Sequence, residues 1–228
     1  MKQPFVLPSS DAKCVSTRMQ GTFRMVHGYH VVFGTYGFWL PNDQRGSWSE
    51  FVAAWELYRM GSLTNKIERT ELTQPQRRWQ HQTKAKLKYP EVILSGQQAL
   101  AVAEGFGVAI DKSRFTIWAC SILPQHVHLV IARHRFKVEY IAGLLKGEAT
   151  KSLNQSSLHP LADYKRHDGN TPTPWNTKSY RGFLESEQEI EDAIAYVLEN
   201  PIKEGKKKQT WKFVTPFAGL EAGWTTYH

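Results

Sequence analysis

The sequence Pro124-Gln-His-Val-His-Leu-Val130 predicts a turn followed by a β-strand. Side chains alternate across a strand, so His126 and His128 point to one face and the residues between them point towards a core. Two imidazoles on one face can bind one metal ion or one phosphate group. Two surface histidines on a half-buried strand are the alternative. A histidine-triad nucleotide hydrolase would need a third histidine at position 130, where the chain has valine.

A second motif, Ala195-Tyr-Val-Leu-Glu-Asn-Pro201, stands at the end of a predicted helix. The helix begins at a capping box from Ser186 to Glu189, and Pro201 is expected to end it at Asn200. Tyr196 lies roughly 120° from the centre of the apolar stripe at ~100° per residue, and Asn200 is beside it at i+4. A phenol and a carboxamide therefore project together. A half-exposed tyrosine and an asparagine that only ends the helix are the alternative.

The elements around these motifs predict an α+β fold with an antiparallel sheet and helices on one face. A strand over 29–35 precedes an inserted, mainly helical segment at about 40–90, with one helix near Ser49 and another at about 75–88. A capping box at Ser95–Gln98 then opens a helix to 110. Strands follow at 114–122 and 127–133, a helix at 137–153 and a short strand at 180–184. We divide the chain into a flexible lead-in (1–25), a catalytic domain (26–205) and a C-terminal tail (206–228).

The composition favours an anionic partner. The net charge is +8, and nucleic acid is the commonest partner for such a surplus. The eight tryptophans fit base stacking and an aromatic core equally well. Lysine and arginine side chains are the candidate DNA contacts, namely Arg77, Arg78, Lys84, Lys86, Lys88, Lys146, Lys203, Lys206, Lys207 and Lys208.

Cysteine usage and hydropathy indicate the compartment. Cys14 and Cys120 are far apart and form neither a disulfide framework nor zinc-finger spacing. The N-terminal residues include no apolar core of signal-peptide length, and no apolar stretch approaches the length of a membrane span. We expect a cytoplasmic, nucleoid-associated protein without a membrane partner.

Together, the strand motif and the helix motif resemble the HUH single-tyrosine transposases, and in particular the REP-associated tyrosine transposases and related insertion-sequence transposases. The likeness covers about 28–36 and 94–205, and the insertion at about 40–90 is longer than the family leads us to expect. It rests on residues that stand in the family's order: Pro124, His126, His128, Tyr196, Asn200 and Pro201.

The resemblance implies a ferredoxin-like fold and metal-dependent cleavage and rejoining of single-stranded DNA at hairpins. Tyr196 would be the nucleophile and form a 5′-phosphotyrosine, while His126, His128 and Asn200 would bind Mg²⁺ or Mn²⁺. The alternatives are an HUH-class nickase or replication initiator, and a domesticated protein that binds hairpin DNA. The protein would act as a monomer or a homodimer.

Overall fold

The computed structural model describes residues 25–38, 74, 78, 82 and 84–220, and every structural statement below concerns those residues. They form four strands and three helices that we number in chain order. The elements are β1 (Gly28–Gly34), α1 (Gly96–Ser113), β2 (Ile117–Ile122), β3 (His126–Ala132), α2 (Val138–Gln155), β4 (Tyr180–Leu184) and α3 (Glu187–Lys203).

The strands form one antiparallel sheet in the order β2-β3-β1-β4. Since β3 lies between β1 and β2, the unit β1-α1-β2 is a split βαβ unit, as in ferredoxin-like folds. The α+β class, the antiparallel sheet and the order of strands and helices along the chain, β-α-β-β-α-β, are therefore as predicted from the sequence.

One feature differs from the expected arrangement, because helices cover both faces of the sheet. Helices α1 and α2 pack on the face that presents Val127, Leu129 and Phe33. Helix α3 packs on the other face, against Val130 and Ala132. Every residue of β2 is buried, so both faces of this part of the sheet are apolar and both need a cover. The apolar stripe of α3 supplies the second cover.

The two helices on the first face approach closely at Gly105. A Cβ atom at this position would lie 2.5 Å from the Cα atom of Ala149 in α2, so only glycine permits the contact. The predicted capping box at the start of α1 is present, with Ser95 accepting from Gln98 and Gln98 accepting from Ser95. These contacts fix the first face of the sheet.

Helix α3 continues past the point at which the sequence predicted its end. It runs through Pro201 to Lys203, so the expectation that proline ends it at Asn200 was wrong. A proline removes one helical hydrogen bond and crowds the carbonyl four residues earlier, so it usually kinks or ends a helix. The amide of Lys206 donates to the carbonyl of Pro201 at 2.8 Å and closes the last turn. Asn200 is therefore inside the helix rather than at its end.

The predicted C-terminal tail is packed against the sheet as far as the structure describes it. The side chain of Gln209 bonds the backbone N–H and C=O of Ile122, at 2.8 Å each. The amide of Thr215 donates to the carbonyl of Ile117 at 2.9 Å. The segment 206–220 thus covers the outer edge of β2, which would otherwise expose unpaired backbone groups.

Most of the predicted insertion lies outside the described residues, including the helix near Ser49 and Arg77. Within it, Gln74, Arg78, Gln82 and Lys84 are helical, and a turn follows Lys84. The second predicted helix therefore ends before 88. In the described part of the chain, no helix is long and apolar enough to cross a membrane.

Candidate active site

The two histidines of β3 lie side by side beneath α3. Their ring centroids are 4.9 Å apart. His128 is buried and His126 is partly exposed at the start of the strand. Because alternate residues of β3 share a face, both rings lie on the α3 face together with Val130. The sheet therefore holds two imidazoles next to each other at one end of β3.

Helix α3 brings Tyr196 against the histidines, and Asn200 follows one helical turn later. The Tyr196 ring centroid lies 5.6 Å from that of His128. Asn200 extends the buried stripe of α3 and is only 8% exposed. Its amide nitrogen is buried without a hydrogen-bond partner among the described residues. A buried N–H group without a partner is costly, so this amide nitrogen suits a hydrogen-bond acceptor such as a phosphate oxygen.

A third histidine, His30 of β1, belongs to the cluster and was not singled out from the sequence. It is fully buried, and its Nε2 atom lies 3.3 Å from the Nδ1 atom of His128. The two rings are stacked, with centroids 5.5 Å apart, and Tyr196 contacts the His30 ring edge-on at 5.6 Å. Its position follows from the pairing of β1 with β3, which puts Val32 opposite His128.

Burial keeps the imidazoles of His30 and His128 neutral. It lowers the pKa of His30 from 6.5 to about 3. Burial also lowers the pKa of His128, and the neighbouring His126 and His30 lower it further. A neutral imidazole has a lone pair for a metal ion, whereas a protonated imidazole does not. The cluster is thus in a state that can bind a cation.

The surroundings of the cluster are aromatic and charged. Phe38 stacks on His126 with ring centroids 5.0 Å apart. Glu204 places a carboxylate oxygen 3.8 Å from Nε2 of His126. Lys203 places its ammonium 5.4 Å from the centre of the Tyr196 ring. A cation therefore stands beside the phenol at the outer edge of the site.

The donor set fits a hard or borderline metal ion only in part. Among the described residues, no group of three or more His, Cys, Asp or Glu side chains is arranged to hold a metal. His126 and His128 offer two nitrogens, and Asn200 offers an amide oxygen. Two imidazole nitrogens and one amide oxygen would leave a hard divalent ion under-coordinated, so phosphate and water would have to supply its remaining ligands. The three groups do not form a closed structural site.

The candidate DNA contacts differ in their surroundings. Arg78, Lys86, Lys88 and Lys203, together with the run 206–208, are exposed. Lys84 is bound to Glu91 at 2.5 Å. Lys146 donates to the carbonyls of residues 176–178, and burial lowers its pKa to about 8. Lys146 anchors that loop, and we do not propose it as a DNA contact.

Comparison with known proteins finds similarity only at the level of structure. The chain resembles a REP-associated tyrosine transposase bound to a REP hairpin, with 11% identity, 89% of this chain and 96% of the other covered, and a TM-score of 0.44. It also resembles a candidate transposase of Deinococcus radiodurans R1, with 10% identity, 81% and 95% covered, and a TM-score of 0.38. No protein-family profile and no curated protein matches the sequence.

Proposed function

We propose that the protein is a transposase that cuts and rejoins single-stranded DNA through a covalent link to Tyr196. The observation that carries the proposal is the position of Tyr196 on α3, with its ring against His30 of β1 and His128 of β3. A helix-borne phenol above paired, neutral histidines combines a nucleophile with a site for the phosphate. The basic surface and the resemblance of the two motifs to the HUH transposases support the same reading.

The residues proposed to hold the metal are His126, His128 and Asn200. Bound Mg²⁺ or Mn²⁺ would polarise the scissile phosphate and offset the charge that develops on its oxygens. Mn²⁺ accepts imidazole more readily than Mg²⁺ does. Asn200 and Tyr196 are one helical turn apart, so α3 fixes the ligand and the nucleophile relative to each other.

His30 is proposed to orient His128. Its Nε2 atom is within hydrogen-bond distance of Nδ1 of His128, which leaves Nε2 of His128 for the metal. Ligating histidines commonly use their second nitrogen in this way, and the partner fixes the tautomer and the ring plane. His30 is therefore a positioning residue rather than a catalytic one.

Tyr196 is proposed to attack the phosphorus atom. A phenol has a reference pKa of about 10, so little phenolate is present at neutral pH without a nearby cation or base. Lys203 places an ammonium 5.4 Å from the centre of the ring, where it also pairs with Glu199 at 2.9 Å. The new bond joins the tyrosine oxygen to the 5′-phosphate, the bond to the 3′ oxygen breaks, and that oxygen takes a proton. Attack by a 3′-hydroxyl reverses the step and releases Tyr196 without ATP.

The proposed substrate is a DNA strand that carries a hairpin, as the family resemblance implies. A related HUH-class nickase or replication initiator would use the same chemistry with a different outcome. A domesticated hairpin-binding protein would keep the fold and lose the cleavage. The protein is proposed to act in the cytoplasm, as a monomer or a homodimer.

Incubation with an end-labelled hairpin strand tests the proposal. With Mn²⁺ we expect a shortened strand and a protein–DNA adduct that survives denaturation, and with EDTA neither. Transfer of the bound strand to a second oligonucleotide separates a transposase from a nickase. Hairpin binding without any cleavage in Mg²⁺ or Mn²⁺ would exclude both enzymes and leave the alternative of a domesticated protein that binds hairpin DNA.

A further inference from the structure

A pocket beside the proposed active site has walls suited to an unpaired nucleotide. Its volume is about 410 Å³, and Tyr36, Tyr89, Lys88, Arg166 and His167 line it. Ligand pockets commonly span roughly 300–1,000 Å³. We propose that it binds one unpaired nucleotide of the single strand next to the hairpin, with the base on the tyrosines and the phosphate at Lys88. This inference rests on the proposed function.

The aromatic wall of the pocket is formed by Tyr36 and Tyr89. The ring centroids of Tyr36 and Tyr89 lie 5.8 Å apart, and Tyr164 contacts Tyr89 edge-on at 5.9 Å. The hydroxyl of Tyr36 accepts a hydrogen bond from the amide of Tyr89 at 3.4 Å, which fixes the two residues relative to each other. Stacking on such rings tolerates any base, because every base has a π face.

The charge of the pocket suits a phosphate. The Lys88 ammonium lies 5.4 Å from the centre of the Tyr89 ring, and Lys88 has no ion-pair partner among the described residues. Arg166 pairs with Asp168 at 3.4 Å, so this carboxylate offsets one cation. Lys88 remains as the charge beside the aromatic wall, where the backbone of a stacked nucleotide would lie.

The pocket is connected to the active site through residues 35–38. The amide of Thr35 donates to the carbonyl of Gln125 beside His126, and the amide of Tyr36 donates to the carbonyl of Pro174, each at 2.8 Å. Phe38 then stacks on His126. A strand whose phosphate lies at His126 thus has a nucleotide pocket just beyond the same end of β3. Occupation of the pocket would fix which phosphate of the strand reaches Tyr196.

The test compares a hairpin that has single-stranded tails with the same hairpin without tails. The protein carries Tyr196→Phe throughout, so that cleavage does not disturb the binding measurement. With the pocket residues intact, the protein should bind the tailed hairpin more tightly than the tail-free hairpin. Tyr89→Ala should weaken tailed binding by about five- to hundredfold, the range for one stacked base, and leave tail-free binding unchanged.

Lys88→Ala provides a second variant at an exposed position, and it decides the question if Tyr89→Ala does not fold. It should reduce the slope of log K against log salt by about 0.7, the value for one phosphate of a single strand. Tyr140→Ala and Lys137→Ala are the matched controls, since both residues are exposed and lie beyond the other end of β3. Both should bind like the parent.

A 2-aminopurine placed along the tail should show quenching at one position, and that quenching should be lost in Tyr89→Ala. Equal binding of tailed and tail-free hairpins, or tailed binding that Tyr89→Ala and Lys88→Ala leave unchanged, would overturn the pocket and leave the proposed function intact. Failure of the parent protein to bind any hairpin would overturn both.

Discussion

The Nε2 atom of His30 lies 3.3 Å from the Nδ1 atom of His128, and this contact joins two neighbouring strands beneath Tyr196. One of the two nitrogens carries a hydrogen and donates the hydrogen bond, and the other nitrogen accepts it. If His128 binds the metal through Nε2, its Nδ1 keeps a proton and donates a hydrogen bond to Nε2 of His30. The orientation of a proposed metal ligand thus depends on a residue that contributes no ligand itself.

Replacing His30 by phenylalanine should weaken metal binding without removing the chemistry. Phenylalanine keeps a ring in the buried site but offers His128 no hydrogen bond. The Mn²⁺ concentration for half-maximal cleavage should rise about 10- to 100-fold, as is usual for loss of such a partner. The rate at saturating Mn²⁺ should change little. His30→Gln, which keeps a polar atom, should recover part of the affinity, and overlapping titration curves for all three proteins would exclude the positioning role.

The buried histidines should also make the metal-free protein less stable in mild acid. The pKa of His30 is lowered to about 3 and that of His128 is lowered as well, so below pH 6.5 the unfolded chain binds protons that the folded chain does not. The free energy of unfolding is therefore highest above pH 6.5 and falls as the pH is lowered towards 3. Between pH 6 and 5 each such histidine contributes a slope of up to about 1.4 kcal/mol per pH unit.

Denaturant titrations in EDTA measure this slope. His30→Gln removes one titrating group and should give a shallower decline than wild type over the same pH range. The other histidines of the chain remain in both proteins and cancel in the comparison. Equal slopes for the two proteins would mean that His30 takes up its proton in the folded state.

Asn200 should prove to be a metal ligand rather than a helix end. The helix continues past it to Lys203, so the reading that it only ends the helix has no support in the structure. Asn200→Ala should raise the metal requirement for cleavage by roughly tenfold or more, while Asn200→Asp, which keeps an oxygen and adds charge, should retain or strengthen metal binding. Overlapping metal titration curves for wild type and Asn200→Ala would remove Asn200 from the site.

Hairpin strands should be cut and perfect linear duplexes should not. The positive surplus and the 12% aromatic content suit unpaired DNA, and the sequence has no helix-turn-helix or zinc-finger signature. Binding should weaken steeply as salt rises, because each neutralised phosphate releases counterions. Gel assays of a hairpin and of the same sequence annealed to its full complement compare the two. Equal cleavage of both would contradict a single-strand substrate.

How far the sequence predicts the site depends on whether a pattern is local. The alternation of β3 suffices to place His126 and His128 on one face, and one turn of α3 suffices to place Asn200 beside Tyr196. His30 requires the pairing register of β1 with β3, which is a contact between distant parts of the chain. No local pattern contains that register.

The same reasoning explains the error about the end of α3 and the surroundings of Lys146. Proline was expected to end α3, yet the turn after Pro201 closes with backbone hydrogen bonds that the sequence does not show. Lys146 was a candidate DNA contact because of its charge, and its ammonium donates to the carbonyl of Asn176, 30 residues away in the chain. Local backbone hydrogen bonds decide the first case, and a contact between distant parts of the chain decides the second.

Tyr196→Phe should separate covalent attachment to DNA from DNA binding. Phenylalanine keeps the ring that packs against His30 and His128 but removes the nucleophilic oxygen. With a labelled hairpin and Mn²⁺, wild type should give a protein–DNA adduct that survives denaturation, and peptide mapping should find the label on Tyr196. The Phe variant should bind the hairpin nearly as tightly and form no adduct. A stable adduct with the Phe variant would mean that Tyr196 is not the nucleophile.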